Sequence, residues 1–103
     1  MRLTDLEPRW LSIVYWSLPL MGGVSFLCPH CRALRIGVWF TVPIEPGQSM
    51  RAFGTDWAQV LAGYRLQAWT RDGTTFDDLT LVPSIRQDGH WHGNITHGEV
   101  VTS

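Results

Sequence analysis

Cys28-Pro29-His30-Cys31 contains the only two cysteines of the chain and sets their thiols one tight turn apart. Two thiolates are good donors to a zinc ion, yet a structural zinc centre takes four ligands in a tetrahedron. His90-Trp91-His92 offers the missing pair. In an extended strand, residues two apart project from the same face, so both imidazoles could reach one ion while Trp91 turns the other way. The expected ligand set is Cys28, Cys31, His90 and His92, drawn from stretches roughly sixty residues apart. A zinc held in this way would add on the order of 10 kcal/mol to a small fold.

Other residues could enter such a centre. His30 lies between the two cysteines, and His97 stands beside Gly98 in an expected turn; either could replace His90 or His92. A catalytic zinc would keep its fourth position open, leave one histidine out, and need a general base such as Asp77, Asp78 or Glu99. A third chemistry is thiol–disulfide exchange, since Cys-Pro-His-Cys resembles the active-site tetrapeptide of thioredoxin-like oxidoreductases of the periplasmic oxidase type. That chemistry needs the first cysteine at a helix N-terminus. Here Arg32 to Val42 is rich in β-branched residues, carries Gly37 and runs into Pro43, so no helix is expected after the motif.

The elements that must position these residues read as strands. Trp10 to Trp16 is β-branched and aromatic, Gly22-Gly23 is an expected turn, and Val24 to Leu27 is a short strand leading into the cysteines. Leu34 to Val42 alternates with Leu34, Ile36, Val38 and Phe40 on one face, and Pro43 is expected to stop it. After a loop over Ile44 to Ser49, Thr55 to Gly63 suits one short helix with Thr55 or Asp56 as cap. Tyr64 to Thr70, Thr75 to Leu81 ending at Pro83, and a last hairpin of His90 to Ile95 with Glu99 to Thr102 complete the pattern. The expectation is a mainly β, small antiparallel domain with a zinc knuckle, zinc-ribbon-like, with at most one short helix. It spans residues 1–103 as a single domain, with residues 1–9 a loose start.

Composition narrows the function classes. The net charge is −1, and the eight basic residues are all arginine and scattered, so there is no concentrated basic stripe for nucleic acid. The longest mostly apolar run, Trp10 to Phe26, is interrupted by Ser12, Ser17, Pro19 and Gly22-Gly23, so no membrane span is expected. Asp5 and Glu7 near the start, with no cleavage-site pattern, argue against a signal peptide. The expected compartment is the cytoplasm, where two close cysteines suit a metal better than a structural disulfide. The six tryptophans are expected to be mostly core.

Three stretches together carry a family resemblance: Cys28-Pro29-His30-Cys31, Phe76 to Ile85, and His90 to Val100. The chain resembles the domain-of-unknown-function family 6527, small bacterial and prophage proteins of which some bear the label ammonia monooxygenase. The likeness covers about Gly23 to Val101, and its most specific runs are Leu79 to Ile85 and Trp91 to Val100. It implies zinc, held by an early cysteine pair at Cys28 and Cys31 and a later cysteine–histidine pair whose histidine falls on His92. It also implies a phage or mobile-element setting. The chain departs from the family at the third donor: no cysteine precedes Trp91, and His90 is the nearest substitute. The monooxygenase label does not fit, because a copper oxygenase of that kind is an integral membrane assembly.

Taken together, these features lead to the expectation of a zinc-binding interaction or accessory protein of phage or mobile-element origin that meets a protein partner through an aromatic-rich surface. A small zinc-dependent hydrolase and a thiol–disulfide oxidoreductase are the alternatives.

Overall fold

The structure, a computed structural model, describes residues 1–15, 18–44 and 68–103. Seven strands follow one another across a sheet in chain order: β1 Arg9–Tyr15, β2 Leu18–Leu27, β3 Arg35–Ile44, β4 Ala68–Asp72, β5 Thr80–Gln87, β6 Trp91–Thr96 and β7 Glu99–Thr102. The mainly β class read from the alternation is the class that forms. The one helical element among the described residues is a 3-10 turn at Leu3–Leu6. The short helix expected over Thr55 to Gly63 lies outside the described residues, as do most of the Ile44 to Ser49 loop and the first half of the Tyr64 to Thr70 strand.

Every neighbouring pair is antiparallel except β3 with β4, which run parallel through Trp39 opposite Ala68 and Phe40 opposite Trp69. The sheet is therefore not purely antiparallel, as the sequence reading had it. Parallel partners need a long connection, and residues 45–67 separate β3 from β4 in the sequence. Two meanders, β1–β3 and β4–β7, meet at this junction.

Alternation sorts the side chains as expected. Ile36, Val38 and Phe40 are buried from β3, Leu81 and Ile85 from β5, Trp91 and Ile95 from β6, with Leu34 packed against them. The sheet curls around this core. Phe26 on β2 meets Trp91 on β6 edge to face, with ring centroids 6.0 Å apart, although three strands stand between them in the sheet order. Trp10 on β1 stacks on Phe76 at 4.4 Å. Trp69 and Trp91 are buried and Trp10 is packed against the core, as expected of core tryptophans, while Trp39 is half-buried and is not among the residues of that core, and Trp16 and Trp57 lie outside the described residues. The Trp91 indole N–H is satisfied by Thr102 Oγ1 at 3.0 Å.

Three turn and breaker expectations fail. Gly22-Gly23 lies inside β2, Pro43 inside β3 and Pro83 inside β5. A proline cannot donate to a ladder and is tolerated at bulges. Pro43 falls where the β2–β3 register shifts, and Pro83 where the β5–β6 register shifts. At Gly23 a Cβ would overlap the Val38 carbonyl oxygen, so the glycine marks close strand approach and not a reversal.

The expected loose start is instead docked. Leu3 and Leu6 are completely buried, because residues three apart eclipse on one face of a 3-10 turn while Thr4 and Asp5 face solvent. Leu3 N–H donates to the Gly98 carbonyl and Val100 N–H to the Met1 carbonyl, both at 2.8 Å. Arg2 adds a 2.8 Å ion pair with Glu99. Among the described residues no helix is long and apolar enough to cross a membrane.

Candidate metal centre

Strand β2 delivers Cys28 to the sheet end, and the chain then reverses within a few residues. Cys28 N–H donates to the Leu34 carbonyl and Arg32 N–H to the Cys28 carbonyl, both at 2.8 Å. Arg32 takes a left-handed conformation, φ 55°, which swings the chain back over Cys31. Pro29 suits the position after Cys28 because its ring fixes φ near the value a turn requires. The result is a knuckle with Cys28 buried and Cys31 exposed, both as free thiols.

The second half of the site comes from the turn between β5 and β6. Gly89, at φ +78°, closes this turn, and His90 N–H donates to the Gln87 carbonyl at 2.9 Å. His90 Nδ1 comes to rest 3.7 Å from Cys31 Sγ. The ligand atoms of Cys28, Cys31 and His90 all lie within 4.8 Å of one another, close enough to hold a metal ion. Bond lengths of about 2.3 Å to sulfur and 2.0 Å to nitrogen place two tetrahedral ligands roughly 3.5–3.8 Å apart. The 3.7 Å spacing of Cys31 from His90 matches such an edge.

Electrostatics favour the ligating form of Cys31. Backbone N–H groups of Ala33 and then Leu34 point at its sulfur, and His90 and Cys28 add to them, so its pKa falls from the ordinary value near 9 to about 6. The thiolate is the metal-binding state.

The remaining histidines go elsewhere. The structure does not bring His92 to the other three: its Nε2 sits 3.3 Å from Ser84 Oγ. The physical reason is where β6 begins. Strand geometry starts at Trp91, so the alternation that would align His90 with His92 does not reach back to His90, which belongs to the turn. His30 is not in the cluster either, but its Nδ1 donates to the His90 carbonyl at 3.2 Å and so ties the two turns together. His97 is at the far end of β6, 3.4 Å from Asp78 Oδ1. The carboxylates considered as general bases are also at that end, Asp77 and Glu99 against Arg2. Six strand residues put roughly 20 Å between the two ends.

A cleft of about 420 Å³ opens beside His90, lined by His30, His92, Trp91 and Thr102 among others. A second, of about 350 Å³, flanks the same three histidines on the side of Arg86 and Asp88. Neither the cleft nor the His30 cross-link has a local signal in the sequence, because each is assembled from turns and chain ends that meet only in the fold. Compared with known proteins, the chain matches no protein-family model, no curated protein and no solved structure.

Proposed function

We propose that this chain is a zinc-binding β module in which Cys28, Cys31 and His90 hold the ion, and that it serves as an interaction or accessory protein. The observation that supports it is the convergence of three ligand atoms from two turns far apart in sequence. Two thiolates and an imidazole are a donor set that suits zinc and disfavours magnesium or calcium, which prefer oxygen. Zinc there would clasp the β2–β3 turn to the β5–β6 turn, a bond between the two meanders in addition to the β3–β4 junction. The hydrolase alternative is the weaker one, since Asp77, Asp78 and Glu99 stand at the opposite end of β6, engaged by Arg2 and His97. Trp10, Trp69 and Trp91 pack in or against the core, whereas half-buried Trp39 alternates to the face of β3 opposite Val38 and Phe40, so surface for a protein partner includes Trp39 and the outward-facing Val82 and Val101.

Metal analysis of the purified protein, combined with thermal unfolding, tests this. About one zinc per chain is expected, and chelation should lower the melting temperature by about 10 °C or more. His90→Ala should release the zinc and His92→Ala should retain it. A protein that purifies without metal and melts at the same temperature with and without chelator would overturn the reading.

A further inference from the structure

We infer that the cluster leaves one coordination position open, and that this position takes a small molecule with an anionic head and an apolar body, entering through the cleft beside His90. This rests on the metal centre proposed above. Among the described residues three protein donors converge and no fourth joins them. His30 spends its Nδ1–H on the His90 carbonyl, His92 is at Ser84, and His97 is at Asp78 on the other end of the strand. Structural zinc sites are closed by four protein ligands, whereas sites that bind a further ligand keep three.

Access points the same way. Cys28 is buried but Cys31 is exposed, as is His90, so an ion held by them would be open to solvent. The cleft of about 420 Å³ is lined by His90 and by Pro29 and His30 from between the two cysteines, and its volume is within the range of small-molecule sites. Its wall includes Pro29, Trp91 and Val100, which suit an apolar body, and His30, His92 and Thr102, which suit a polar head.

Donor strength selects the head group. A divalent ion binds an anionic oxygen or sulfur more strongly than an uncharged amide, and no aspartate or glutamate side chain lines the cleft. A carboxylate and a thiolate share this chemistry.

Cobalt(II)-substituted protein provides the test, because its visible bands report the number and kind of ligands. Titration with benzoate and with phenylmethanethiol should shift those bands saturably, and the thiol alone should add a near-ultraviolet sulfur-to-cobalt band; the uncharged benzamide should do neither. His92→Ala should keep its cobalt and weaken benzoate binding by about fivefold, as expected for loss of a polar contact to an anion. Bands that no probe moves, in a protein that binds cobalt fully, would mean four protein donors and would overturn the inference while leaving the metal centre standing. Loss of cobalt from His92→Ala would overturn it in the same way by identifying the fourth donor. An equal response to benzamide would refute the preference for an anion. A protein that takes up no cobalt would bring down both the inference and the centre it rests on.

Discussion

Strand β6 has a histidine just beyond each end, and the two have opposite surroundings. His90 faces the sulfur of Cys31, with a second thiol behind it and no carboxylate in the cluster. His97 faces the carboxylate of Asp78 at 3.4 Å, within an exposed group that also holds Arg2, Asp77 and Glu99. Exposed ion pairs of that kind contribute only about 0–1 kcal/mol each. What secures the second end is apolar: Leu3 and Leu6, fully buried beneath the sheet. One end thus gathers two thiols and an imidazole close enough to hold a metal ion, and the other has charges that satisfy each other over a hydrophobic anchor. A histidine becomes a ligand through its neighbours rather than through its spacing from another histidine.

The comparison is most readily broken by removing a sulfur. Cys28→Ser should abolish stoichiometric zinc binding and give the largest loss of stability, because it removes a ligand and also places a hydroxyl in a fully buried position. Cys31→Ser, at an exposed position, should lose the metal without the second penalty. Equal melting temperatures for the two metal-free variants would show that Cys28 contributes nothing to the core.

A smaller effect is expected at the other end. Leu6→Ala should cost about 2–5 kcal/mol in denaturant unfolding, with zinc content per folded chain unchanged. Zinc loss in this variant would show that the two ends are coupled.

The smallest effect on stability concerns proton binding. In metal-free protein Cys31 should alkylate as a thiolate with a midpoint near pH 6. Because its folded value is depressed, its contribution to stability is fully present above the ordinary thiol value near 9 and is lost as pH falls through about 6. An alkylation midpoint above 8 would show that the Ala33 and Leu34 amides do not hold the thiolate.

Much of this organisation is legible in the residues. The alternation over Leu34 to Phe40 and over Trp91 to Ile95 marks the buried faces correctly, because a one-sided sheet writes its period into the sequence. The cysteine knuckle is equally plain. His92 misleads because alternation holds only within a strand, and His90 precedes the first residue of β6. Pro43 and Pro83 mislead because a register shift, which has no residue signature of its own, lets a proline stay in the sheet. Leu3 and Leu6 go unrecognised among polar neighbours, since a single 3-10 turn is too short to show a period.

That docked start has a bearing on how the molecule behaves among copies of itself. Strand β7 closes the sheet order, and a terminal strand with free amides and carbonyls invites addition of a strand from another chain. Here the backbone of Met1 and Leu3 already occupies Val100 N–H and the Gly98 carbonyl, and Arg2 bridges to Glu99. The first residues therefore work as a selvedge along the last strand, guarding it against edge-on aggregation.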